Sequence, residues 1–68
     1  MPRRQHVDVG VIKSIIPEST HHRVELDNGN VYKTSSTLDQ DIEDPAFRGT
    51  TVRVLLTEHQ RIWDISVI

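Results

Sequence analysis

The stretch Arg23-Val24-Glu25-Leu26-Asp27-Asn28-Gly29-Asn30-Val31-Tyr32 constrains the fold of this chain most. Arg23 to Leu26 alternate polar and apolar, the period of a half-buried strand. Asn28-Gly29 predicts a two-residue type I′ turn, because both residues tolerate positive φ. Asn30 to Thr34 returns as a second strand rich in β-branched and aromatic side chains. The hairpin fixes the register of its neighbours, since a slip of one residue turns Val24 and Leu26 out to water.

Length limits what can be built around that hairpin. Sixty-eight residues make one domain, and a chain of this size buries only about 60% of its unfolded surface. No disulfide reinforces it, because there is no Cys; that usage fits a reducing compartment and a cytoplasmic protein. The longest apolar runs, around Ile15-Ile16 and Leu55-Leu56, fall far short of the roughly 20 residues that span a bilayer, so no membrane partner is expected. Met1-Pro2-Arg3-Arg4 is basic but no apolar stretch follows it, which argues against a signal peptide. Residues 1–6 are expected to form a flexible basic tail on a single barrel domain at 7–68. Ten acidic against eight basic side chains leave a net charge of −2, which speaks against sequence-independent coating of DNA.

Along the chain, Val7, Val9 and Val11 alternate with Asp8 and Gly10. The apolar phase changes between Val11 and Ile12, predicting a bulged or bent first strand, as the corners of small barrels need. Pro17 ends it, and Glu18 to His22 is a loop. After the hairpin, Thr37 suits an N-cap, and Asp39 and Asp41 suit the positive end of a helix dipole. Asp44-Pro45 stops that helix by about residue 43, with Leu38, Ile42 and Phe47 directed at the barrel. Thr50 to Thr57 alternates with Val52, Val54 and Leu56 on one face. Glu58-His59-Gln60 is a short turn, and the alternation of Trp63, Ile65 and Val67 gives a fifth strand with Trp63 in the core. The expected core is therefore Val24, Leu26, Val52, Val54, Leu56 and Trp63. Five strands with a short helical insert between the third and fourth describe an all-β OB-fold barrel; an SH3-like barrel is the alternative.

Gly10-Val11-Ile12 with Pro17, the string Arg23 to Gly29, Ser35, Gly49-Thr50-Thr51-Val52-Arg53-Val54 with Leu56-Thr57, and Arg61-Ile62 together resemble bacterial translation initiation factor one. The likeness covers about residues 9 to 63. It implies a single OB-fold of the S1 type that binds RNA in the small ribosomal subunit, at the decoding site. One segment departs from the family: where its members are rich in Lys and Arg after the third strand, this chain carries Asp39, Asp41, Glu43 and Asp44, with no basic residue before Arg48. The loop between the last two strands is also shorter.

Candidate chemistry is sparse. His6, His21, His22 and His59 have no regular ligand spacing and no Cys to complete a zinc site. Ser35, Ser36 and Ser66 are not spaced to select a catalytic triad, and there is no Gly-rich phosphate loop. No enzyme activity, metal or cofactor is expected. Two binding faces remain. Arg23, Lys33 and Arg53 alternate away from core positions; with Tyr32 as a stacking ring and Arg61 they would form an OB-type nucleic-acid platform. Asp39, Asp41, Glu43 and Asp44 would instead dock on a basic protein, as in a protein-interaction module or a small accessory or phage-type regulator (inhibitor). The competing explanation for both sets is a scatter of solvated charges.

Overall fold

The computed structural model describes residues 6–68. Apart from His6, the expected tail lies outside the described residues; the His6 carbonyl accepts a hydrogen bond from Leu56 N–H at 2.8 Å. Five strands follow: β1 (Val7–Pro17), β2 (His22–Leu26), β3 (Val31–Thr34), β4 (Thr51–Leu56) and β5 (Arg61–Val67). They close into a barrel in the order β1-β2-β3-β5-β4, with β3 and β5 parallel and the other pairs antiparallel. The fold is all-β and OB-like, as the element order predicts.

Closure depends on β1 serving two partners. Val7 to Val11 pair with β4, and Ile12 to Pro17 pair with β2. Between them the register shifts, leaving Lys13 as an extra residue between Ile12 and Ser14; a bulge of this kind bends a strand and raises its twist. Gly10 sits at the bend because the hairpin loop comes down on it. A Cβ there would lie 2.8 Å from Asp27 Oδ1. That carboxylate instead accepts Val11 N–H at 3.0 Å, while Asp27 N–H donates to the Val11 carbonyl at 2.8 Å.

The hairpin forms where expected, but its loop has three residues rather than two. Gly29 N–H donates to the Leu26 carbonyl at 3.0 Å, and Leu26 N–H to the Asn30 carbonyl at 2.9 Å. Asp27-Asn28-Gly29 is thus a type I turn closed by a left-handed residue, Gly29, at φ 90°. Asn28 does not share the positive φ of a type I′ turn; its Oδ1 accepts Asn30 N–H at 2.9 Å. Thr57 to Arg61 repeats this loop with Gln60 at φ 61° in the glycine position. A Cβ at residue 29 would meet nothing within 4 Å, so Gly29→Val is resisted by the backbone alone. We expect a loss of about 1–2 kcal/mol on thermal or urea unfolding; an unchanged midpoint would contradict the turn assignment.

Loop length decides which face Tyr32 occupies. A two-residue turn would set Leu26 opposite Val31 and send Tyr32 outward. The three-residue loop pairs Val24 with Tyr32 and Glu25 with Val31. Tyr32 is therefore buried (7% exposed) and Val31 is 51% exposed. This corrects the expectation of an external Tyr32.

Val24, Leu26, Val52, Val54 and Leu56 are buried as anticipated, joined by Tyr32, Ile42, Ile62 and Ile65. Trp63 is not among them: it is 43% exposed. The cause is a second bulge. Leu55 pairs with Asp64 and Leu56 with Ile62, so Trp63 is the extra residue on β5. Ile62 and Ile65, three apart, then face the core in place of Trp63.

The insert at 35–50 also departs from expectation. No helix forms over 37–43; a single 3-10 turn, Pro45–Phe47, follows Asp44. Three short side chains take backbone donors two residues ahead: Thr37 N–H to Ser35 Oγ, Glu43 N–H to Asp41 Oδ1 and Ala46 N–H to Asp44 Oδ1. Such bonds compete with helical ones, and they prevail here. Ile42 is nonetheless buried, with Leu38 and Phe47 packed against the core as predicted.

Candidate nucleic-acid interface

Strand pairing assembles a cationic row that the sequence leaves dispersed. Arg23 lies opposite Lys33 across β2 and β3, and Lys33 lies beside Arg61 across β3 and β5. Neighbouring strands are about 4.8 Å apart, so the three positions span about 10 Å of the outer wall. Like charges directly opposite one another destabilise a sheet. Only part of this row is compensated. Arg23 pairs with Glu18 Oε2 at 3.2 Å, and Arg61 donates to the Thr34 carbonyl at 3.4 Å. Lys33 forms no ion pair among the described residues.

Of the other expected members, Arg53 stands apart. It is exposed on β4 opposite Ser66, five residues along β5 from Arg61 and hence about 16 Å away. Tyr32 is inside the barrel and offers no stacking face. Its hydroxyl donates to Asp8 Oδ2 at 2.6 Å.

That contact belongs to a network the sequence did not announce. Asp8 is buried and, among the described residues, accepts four hydrogen bonds, all from neutral donors. They come from Val9 N–H (2.8 Å) and Asn28 Nδ2 (3.1 Å) to Oδ1, and from Asn30 Nδ2 (2.8 Å) and Tyr32 Oη to Oδ2. Burial by itself pushes this carboxyl up. The hydrogen bonds outweigh it, that from Tyr32 foremost, and hold Asp8 below the usual carboxylate range. The Tyr32 phenol is pushed well above its ordinary value, by burial first and then by the bond to Asp8 and its charge. Together these bonds lock the β2–β3 loop onto β1, and so fix the wall that carries Arg23 and Lys33.

The acidic insert is tied down at the edge of this wall. His22 Nε2 lies 3.0 Å from Glu43 Oε2, and Gln40 Nε2 donates to Asp64 Oδ1. His21 Nε2 lies 2.9 Å from Glu18 Oε1. An open groove of about 380 Å³ runs between the β1–β2 loop and the insert, past His21, His22, Ser35 and Asp41. Asp41 and Asp44 are occupied with the N–H groups named above and Glu43 with His22, so three of the four insert carboxylates have local roles; all four side chains are exposed. Among the described residues no cluster of His, Cys, Asp and Glu could hold a metal ion, and no helix is long and apolar enough to cross a membrane.

Two features were within reach of the sequence. Ile62 and Ile65, three apart in a strand, signal the bulge that frees Trp63, and cross-strand partners share a face, so Val24 predicts Tyr32 once the loop length is known. Comparison with protein-family models, curated proteins and solved structures finds no match to this chain.

Proposed function

We propose that this barrel is a non-enzymatic binding module for RNA, with the small ribosomal subunit as its docking site. The row Arg23–Lys33–Arg61 carries the reading: three cations placed side by side by register, with Lys33 in no ion pair among the described residues, on the outer wall of an OB-like barrel. The ribosomal part rests on the likeness of the Arg23 to Gly29 string and the Gly49 to Thr57 segment to translation initiation factor one. A cytoplasmic location belongs to the same reading.

The rival reading, docking of the acidic insert on a basic protein, is weakened by the local roles of Asp41, Glu43 and Asp44. The test is co-sedimentation with small ribosomal subunits and with a short RNA. The reversal of Asp39, Asp41 and Glu43 to Lys is expected to preserve or tighten binding, because it removes negative potential beside the row. Partner binding that disappears only on this reversal, while Arg23, Lys33 and Arg61 prove dispensable, would overturn the proposal in favour of the protein-docking alternative.

A further inference from the structure

Trp63 is the chain's one tryptophan, and the structure spends a bulge to put it outside. Bulges re-aim side chains and cluster beside functional sites. Here the extra residue is the largest apolar side chain in the protein, at 43% exposure, while Ile62 and Ile65 fill the core without it. Arg61 and Trp63 flank the inward-facing Ile62, so both leave the barrel on its outer side, about 7 Å apart along β5. Ser35 N–H donates to the Ile62 carbonyl at 2.7 Å and Gln40 holds Asp64. These bonds pin the strand on both sides of Trp63 and leave its ring accessible. An indole standing at the end of a cationic row is the pairing that single-strand binders use: phosphates on the cations, a base on the ring.

We infer that Trp63 is the stacking platform for an unpaired base, and that the ligand is single-stranded nucleic acid read without strong sequence preference. The inference rests on the nucleic-acid reading of the Arg23–Lys33–Arg61 row. A base inside a duplex is stacked on its neighbours and cannot lie on the indole, so a duplex should be the poorer ligand. Base stacking tolerates sequence because every base has a π-face.

The experiment is a titration with a fluorescently labelled eight-nucleotide uridine RNA, followed by anisotropy and by the emission of Trp63, with an unlabelled RNA duplex of equal length as competitor. We expect tryptophan emission to change in step with anisotropy. Trp63→Ala should weaken binding by about 5- to 150-fold without altering its salt dependence, Trp63→Phe should recover part of the loss, and the duplex should compete poorly. If the oligomer binds with the salt dependence of a phosphate contact but Trp63→Ala binds equally, or the duplex competes as well as the single strand, the stacking inference fails and the basic row stands. If anisotropy detects no binding at low salt, both fall together.

Discussion

Leu26→Ala is expected to destabilise this protein by about 2–5 kcal/mol, the range for emptying a well-packed aliphatic site. Leu26 is fully buried, pairs with Ile12 just before the bulge in β1, and lies under Gly10. Its removal opens a cavity where β1 passes from β4 to β2. Stability of about 0.05–0.15 kcal/mol per residue gives a chain of this length roughly 3–10 kcal/mol in total, so the variant should be largely unfolded or close to it at 37 °C. Trp63→Ala is the control. It removes a larger side chain from a half-exposed bulge and should shift stability by no more than about 1 kcal/mol. Urea unfolding that ranks the two in the opposite order would show the β5 register to be wrong.

The second large effect lies at Asp8. Asp8→Ala removes the carboxylate to which the buried Tyr32 hydroxyl and the side-chain amides of Asn28 and Asn30 donate, at about 1–3 kcal/mol for the hydroxyl bond. Tyr32→Phe removes the same bond from the other side, and the two changes should be strongly non-additive. The pH dependence follows from the direction of each shift. Asp8 is depressed in the folded state, so its contribution is fully present above its ordinary value of 3.8 and is lost as pH falls through the lower folded value. Tyr32 is raised, so its contribution is present below its ordinary value of 10.0 and is lost as pH rises through the higher folded one. The acid limb of the unfolding curve should therefore lose this component in Asp8→Asn. Identical acid limbs in the two proteins would exclude the buried carboxylate as an acid-sensitive element.

What the sequence could and could not convey follows from the range of the interactions. The β2–β3 hairpin, the bend near Gly10, the β4 alternation and the turn at 58–60 are local patterns, and each was legible. The turn type was not, because Asp27 is recruited into the loop by Val11 of a different strand. That one extra loop residue also moved Tyr32 from the wall to the core. Asp8 was hidden for a related reason: alternation with Val7 and Val9 does not say which face is inward, and its donors arrive from residues 28, 30 and 32. The helix expected at 37–43 lost to short-range bonds from Ser35, Asp41 and Asp44. Arg23 and Lys33 were identifiable as outward-facing cations, but Arg61 was not, because the expected alternation put it in phase with a core Trp63 and only the bulge in β5 turns both outward. The alignment of all three in one row was not legible either, since it depends on the parallel pairing of β3 with β5.

The row also explains how a chain of net charge −2 could bind a polyanion. Potential near a surface is set by charges within about a Debye length, roughly 8–10 Å at ordinary salt. Lys33 has cations as its cross-strand neighbours on both sides, and of the carboxylates at the edge of this wall Glu43 is held against His22. The most direct measurement is the affinity for a labelled single-stranded RNA as a function of salt, for the native chain and for the variant with Arg23, Lys33 and Arg61 all changed to Ala. Three phosphate contacts predict a slope of log affinity against log salt of about −2, falling towards zero in the variant. Equal slopes in the two proteins, or no binding by the native chain at low salt, would contradict the account.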